Sequence, residues 1–422
     1  MQARPGAKAS PLTTDTPQAT AAPHPHGLRR SGDALEVLRA FLKLGLTCFG
    51  GPAAHLGYFR TEFVQRRQWL DDASYSDLVA LCQFLPGPAS SKVGFALGWG
   101  RAGWRGALAA WCGFTLPSAV ALILFALGVA RWTALADSGA VHGLKVAAVA
   151  IVAQAVLGMA RSLCPDRPRA AIAIGAALAA LAVPSSAGQV AAILLGAAAG
   201  RWLLRLPPSN ARPPPMDFGI SRRMGVALLT LFGALLAGLP LLGLAAPGSA
   251  WPIVGTVYKA GALVFGGGHV VLPLLQAGVV PQWMSTESFL AGYGAAQAVP
   301  GPLFSFAAYL GTVMPAPFGG WAGGLGLLVV IFVPGLLLLC GALPFWQLLR
   351  GQAKVQHAMA GINAAVVGLL GATLYDPVFT SAVQTRADFA LALATFGLLL
   401  LGRLSPALVV ALAAAAGWAM AQ

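Results

Sequence analysis

Leu42-Lys43-Leu44-Gly45-Leu46-Thr47-Cys48-Phe49-Gly50-Gly51 returns later in the chain as Tyr258-Lys259-Ala260-Gly261-Ala262-Leu263-Val264-Phe265-Gly266-Gly267. Lys, Gly, Phe, Gly and Gly recur in register. The pattern continues outward. Gln83-Phe84-Leu85-Pro86-Gly87-Pro88 returns as Gln297-Ala298-Val299-Pro300-Gly301-Pro302. Trp69 matches Trp283, Ser91 matches Ser305, Trp104 matches Trp321 and Pro117 matches Pro334. Self-similarity of this order and spacing is a tandem duplication, and it decides the fold before any element is assigned.

The solvent of this duplicated unit is lipid. Hydrophobic residues make up 57% of the 422, and charged residues only 9%, against about 25% in soluble domains. Apolar runs such as 106–130, 146–163, 225–244, 325–343 and 389–401 approach the ~18 residues needed to cross a bilayer. The expected fold is therefore an all-α polytopic membrane protein whose two homologous halves carry broken or re-entrant helices. The net charge of +14 falls between the apolar runs, where basic residues set topology. No reading motif accompanies it, so nucleic acid is not an expected partner.

The expected divisions are a disordered cytoplasmic tail over 1–33, a first repeat over 34–204, a basic cytoplasmic linker over 205–224, an additional transmembrane helix over 225–245 and a second repeat over 246–422. The tail is rich in Pro, Ala, Thr and Ser and lacks a signal-peptide pattern. The linker carries Pro207-Pro208 and Pro213-Pro214-Pro215, which exclude a buried helix. One unpaired crossing between the repeats would invert the second relative to the first, a recurrent transporter design.

Two topologies fit the motif segments. In one, every apolar segment spans, giving roughly thirteen helices. In the other, the segments around the motifs re-enter and return to their starting side. Arg60, Arg66 and Arg67 lie between the motifs of the first half, whereas 277–288 contains no Lys or Arg. The positive-inside rule then favours re-entrance, with a cytoplasmic N-terminus and an outer C-terminus. Arg131 and Arg386 run against it.

Phe49-Gly50-Gly51-Pro52 and Phe265-Gly266-Gly267-Gly268 interrupt apolar runs, as do Pro86-Gly87-Pro88 and Pro300-Gly301-Pro302. Broken backbone at membrane depth is tolerated only inside protein or beside water. Each break opens a helix N-terminus, whose free N–H groups suit an anion. Paired breaks in matching positions point to a transporter site. Candidate ligands beside them are Ser90, Ser91, Lys92 and Ser305, together with Gln83 and Gln297. Lys43 and Lys259 precede the glycine breaks, and a lysine inside an apolar segment is a functional candidate. Lys145 is a further one. His55 and His269 lie just past the breaks and titrate near neutrality. Simple helix packing by the glycines, and packing roles for the histidines, are the competing readings.

Other chemistry is not expected. Cys48, Cys82, Cys112, Cys164 and Cys340 have no metal-ligand spacing, and His24 and His26 alone do not make a metal site. Gly98-Trp99-Gly100-Arg101-Ala102-Gly103 has the spacing of a dinucleotide loop but no preceding strand. No phosphate-binding loop, nucleophile–base pair or cofactor motif is present. An enzyme is not expected, nor is a bound cofactor.

Residues 41–52, 83–88 and their second-half copies resemble the chromate ion transporter family, in its long, two-domain form, over nearly all the chain after the tail. The resemblance implies efflux of chromate from the bacterial cytoplasm across the inner membrane, resistance as its consequence, and the proton motive force as its source of energy. It also implies halves in inverted orientation. Sulfate, or another oxyanion, is the alternative substrate. A passive anion channel is the alternative mechanism, and a second copy of the chain an additional partner. Gly268 departs from the family pattern, where a Pro follows Gly-Gly, and no lysine in the second half matches Lys92.

Overall fold

A computed structural model describes residues 32–48, 51–131, 139–183, 186–204, 218–264, 271–346, 352–401, 404 and 406–421. The second glycine motif with His269, together with Phe49, Gly50 and most of the expected tail and linker, lies outside these residues. Among the described residues the structure is helical, without strands. Five stretches among the described residues are long and apolar enough to cross a membrane: Ala89–Gly128, Gly139–Arg161, Arg222–Ala245, Gly320–Phe345 and Ala353–Ala382.

The first half opens with α1 (Ala34–Thr47) and α2 (Gly51–Phe59), which continues as a π-helical turn, Arg60–Arg66. α3 (Asp72–Phe84) starts on an Asp71 cap, whose side chain accepts from the Ser74 N–H, and stops at Pro86-Gly87-Pro88. α4 (Ala89–Arg131) is two helices folded at Ala102 and Gly103, where the backbone leaves helical geometry. Its two arms meet where Gly98 and Gly106 each abut the other's carbonyl. No side chain would fit between them, so the glycines set this close approach.

Ion pairs show where these segments begin and end. Arg67, at the end of the π-turn, lies 3.7 Å from Glu36 in the first turn of α1. Arg101, at the fold of α4, lies 3.1 Å from the same carboxylate. Both guanidiniums sit over the Trp69 ring, at 5.8 and 5.4 Å, and Arg60 pairs with Asp72 at 2.6 Å. The α1–α2 pair therefore starts and finishes at one end of the bundle. So does the pair formed by α3 and the first arm of α4. Both are helical hairpins, the inner ends being Cys48 and Gly51 in one and Leu85–Pro88 in the other. The 14 residues of α1 rise about 21 Å, short of the ~30 Å hydrocarbon core.

The remainder of the first half is α5 (Gly139–Leu163), α6 (Arg167–Ala182) and α7 (Ser186–Leu203). The additional helix, α8 (Arg222–Ala245), begins three residues earlier than the sequence pattern suggests, because the Ser221 side chain caps it through the Met224 N–H. Its outward face carries Leu231, Leu241 and Leu244, as lipid contact requires.

The second half repeats the plan with α9 (Trp251–Leu263), α10 (Val271–Val279), α11 (Thr286–Ala298), α12 (Phe306–Val313), α13 (Gly320–Ala342), α14 (Ala353–Thr373), α15 (Arg386–Leu401) and α16 (Pro406–Met420). Gly311 and Gly323 bring α12 against α13 as Gly98 and Gly106 do in α4. Trp283 packs on Phe318, joining the ends of both second-half hairpins. Gly45 of α1 rests on the Gly113 and Phe114 carbonyls of α4, and Gly261 of α9 rests on the Ile331 carbonyl of α13.

The halves are exchanged around each other. α5 of the first half packs on α15 and α16 of the second, and α14 of the second packs on α6 and α7 of the first. Glycines line both seams: Gly139 against Gly417, and Gly196 and Gly200 against Gly361. Neither half buries its own surface alone.

Candidate functional site

Where the tips meet, each half completes the other. The Gly87 N–H donates to the Val264 carbonyl at 2.6 Å, and the Gly301 N–H donates to the Cys48 carbonyl at 2.9 Å. Cys48 and Val264 are the residues just before the two glycine motifs. Each Pro-Gly-Pro break thus holds the residue that leads into the glycine motif of the opposite half. Both central glycines take the same positive φ, +103° at Gly87 and +106° at Gly301. Side chains avoid that region, which is why glycine stands there. A Cβ on Gly87 would lie 2.9 Å from Gly335 Cα, and one on Gly301 would lie 3.0 Å from Ser118 Oγ. Gly335 and Ser118 follow the matched prolines Pro334 and Pro117, so this contact is reciprocal too.

The first-half tip gathers several of the expected ligands. Lys92 is fully buried, and its Nζ donates to the carbonyls of Leu85 at 2.6 Å and Pro86 at 3.0 Å. These are carbonyls released where α3 stops before the break. Ser90 lies 3.3 Å from Nδ1 of His55, whose ring stands edge-on to Phe114. His55 is buried with the Cys48 backbone beside it, and its Nε2 closes no hydrogen bond of good geometry. Ser91 is also buried, and its hydroxyl has no partner. Gly51 and Pro52 begin α2 at the neighbouring tip.

The second-half tip is knitted differently. Ser305 Oγ contacts the Pro302 carbonyl at 2.7 Å and Ser118 Oγ at 2.6 Å; Ser118 in turn donates to the Thr115 carbonyl. Gln297 is half-buried beside Tyr293, with its Nε2 unpaired.

Three expected ligands stand apart. Lys43 is exposed on α1, 3.8 Å from Glu62 at the base of the hairpin, rather than at the tip. Burial raises the pKa of the Glu62 carboxyl, but the Arg67 hydrogen bond and the charges of Arg67, Lys43 and Arg66 outweigh this and leave it below the ordinary range. Gln83 lies on the exposed side of α3, and Lys259 is half-buried on α9. Helical geometry accounts for this: a lysine two turns before a break sits about 9 Å from it along the axis.

Sequence reading passed over other residues. Trp111 and Thr115 lie one turn apart on the face of α4 that reaches Ser118, and both have buried polar atoms without partners. Ser118 was legible only by asking what the repeat places opposite Ser305. His142 and Asp388 form a 2.6 Å pair joining α5 to α15. They line a pocket of ≈ 530 Å³ with Lys145 and Thr385. Asp388 also accepts the Gln384 and Thr385 N–H groups, as the cap of α15. Among the described residues no group of three His, Cys, Asp or Glu is placed to hold a metal ion.

A duplicated, polytopic helical membrane protein with broken helices joined tip to tip is built as a transporter. The chain belongs to the chromate transporter family, whose pattern matches residues 35–201 and again 251–418. This is a family of transporters, not of enzymes. The chain is 29% identical over 396 residues to a chromate transport protein of Pseudomonas aeruginosa, covering 91% of each chain. It is 27% identical over 397 residues to a chromate transport protein of Cupriavidus metallidurans, covering 90% of this chain and 92% of that one. An uncharacterised transporter of Methanocaldococcus jannaschii is 25% identical over 346 residues, 81% of this chain and 84% of its own. No solved structure matches.

Proposed function

We propose that this protein is a secondary transporter that exports chromate from the cytoplasm across the bacterial inner membrane, driven by the proton motive force, and that it thereby confers chromate resistance. The observation that carries this reading is the first-half tip. A helix N-terminus opens there beside buried Ser90, Ser91 and Lys92, with donors unspent. A tetrahedral dianion is acceptor-only, and such a cluster of donors in a place of low dielectric is what it needs. Family membership and the names of the relatives point to chromate. Sulfate has the same shape and charge, so it is the rival substrate.

In everted vesicles containing this protein, labelled chromate should accumulate when a proton gradient is imposed, and excess sulfate should compete only weakly. Sulfate accumulation without chromate would overturn the substrate. Chromate flux indifferent to the proton gradient would overturn the coupling and favour a channel.

The halves are read as inverted, with the N-terminus cytoplasmic and the C-terminus periplasmic. Support comes from charge. The base of the first-half hairpins carries Arg60, Arg66, Arg67 and Arg101, whereas 277–288 carries no Lys or Arg. The positive-inside rule puts these two ends on opposite sides. Arg66→Cys and Gln282→Cys, both at exposed positions, should therefore react with an impermeant maleimide from opposite faces. Arg66→Cys should label in everted vesicles and Gln282→Cys in spheroplasts, above the background of the native cysteines. Labelling of both from one face would exclude inversion.

A further inference from the structure

We propose that the two tips are unequal: the anion is held at the first-half tip by Ser91 and Lys92, while the second-half tip is a closed copy locked by the Ser118–Ser305 hydrogen bond. This rests on the reading of the protein as an oxyanion transporter and assigns that function to one of two related places.

The repeat makes the comparison possible. Ser91 of the first half corresponds to Ser305 of the second. Each lies after a Pro-Gly-Pro break whose glycine touches a residue of the opposite half, Gly335 in one case and Ser118 in the other. Ser118 is the residue after Pro117, and Gly335 the residue after Pro334. At the second-half tip a serine therefore faces a serine, and their hydroxyls meet at 2.6 Å. At the first-half tip the facing position is Gly335, which has no side chain. Ser91 is 3% exposed, and its hydroxyl has no partner.

Proton counting separates the two. Two hydroxyls carry two protons. At the second-half tip, the Thr115 and Pro302 carbonyls and the serine oxygens themselves accept both. Neither serine proton remains for an anion. At the first-half tip the Ser91 proton is unspent, and Lys92 Nζ, which has three, contacts two carbonyls. A buried donor left unpaired is costly, and an acceptor-only ligand satisfies it. A Cβ at Gly335 would lie 3.1 Å from Pro88 Cδ and 3.9 Å from Lys92 Cδ. A side chain at this position would therefore stand against Pro88 and the stem of the lysine.

The test compares isosteric deletions of the two related hydroxyls in the purified full chain, with labelled chromate in equilibrium dialysis and vesicle transport as readouts. Ser91→Ala should weaken chromate binding at least tenfold without lowering thermal stability, because it removes a hydroxyl that has no hydrogen-bond partner in the fold. Ser305→Ala should change binding less than twofold, with any loss confined to stability. Gly335→Ser, which puts a hydroxyl at the position Ser118 holds in the other half, should weaken binding at least fivefold relative to Gly335→Ala, which carries the same Cβ. Equal losses for Ser91→Ala and Ser305→Ala, or wild-type binding by Ser91→Ala, would overturn the assignment while leaving the transporter reading intact. Absence of chromate and sulfate binding by the unmodified chain would instead refute that reading.

Discussion

Gly87→Leu should abolish chromate transport, to below a few per cent of the unmodified chain, while Gly57→Leu leaves it near normal. Both replace a glycine in the same half by the same side chain, and the surroundings decide the difference. Gly57 lies on the outer side of α2 with nothing within 4 Å of an added Cβ. Gly87 has φ +103°, and its added Cβ would stand 2.9 Å from the Cα of Gly335. Backbone in that φ region costs a non-glycine residue about 1–3 kcal/mol. Overpacking adds about 1–3 kcal/mol more, and the neighbour is main chain, which cannot swing aside. The strain falls on the segment whose N–H holds the Val264 carbonyl. Displacing it parts the first Pro-Gly-Pro tip from the end of α9. Transport should be measured per molecule inserted, with the insertion level read by immunoblot. Normal transport by Gly87→Leu would show that the tips are not part of the path.

How much of this was legible in sequence follows from what a linear pattern can encode. The duplication, the membrane setting and the breaks at Gly51, Pro86-Gly87-Pro88 and Pro300-Gly301-Pro302 were readable, because each depends on residue type at fixed spacing; the second glycine motif lies outside the described residues. Arg60, Arg66 and Arg67 pointed to motif segments that start and finish on one side, and the ion pairs of Glu36 with Arg67 and Arg101 bring those hairpin ends together. The exchange of α5 and α14 between the halves was not readable. Small-residue seams such as Gly361 against Gly196 name no partner until they are packed. Within the site, sequence named Ser91 and Ser305 alike because it cannot see what faces them. It also grouped Lys43 with Lys92, since both interrupt apolar runs, although one meets Glu62 at a hairpin base and the other reaches a broken helix end. Asp388 was passed over because an acid at the edge of an apolar run has the pattern of a loop residue. Its partner, His142, is distant in sequence.

Lys92→Gln should lower chromate transport at least tenfold while the protein still inserts and folds, and Lys92→Met should also lower its stability. The distinction comes from the two tasks the side chain performs. A lysine at the bilayer centre carries an insertion cost of about 2.5–3.5 kcal/mol, and here two carbonyls, those of Leu85 and Pro86, receive its protons. Methionine can donate to neither. Each buried carbonyl left unpaired costs about 1–3 kcal/mol, so Lys92→Met should melt several degrees lower. Glutamine keeps an amide donor of similar reach and should retain much of that stability. What it lacks is the charge, and a dianion entering a water-poor tip loses its hydration for a neutral amide instead of an ammonium. Charge-assisted hydrogen bonds are roughly twice as strong as neutral ones, and the attraction beyond hydrogen bonding is lost as well. Transport in vesicles and a melting curve on the same preparation separate the two contributions. If Lys92→Gln transports chromate at more than half the normal rate, Lys92 only closes the end of α3, and the charge that receives the anion must be sought elsewhere.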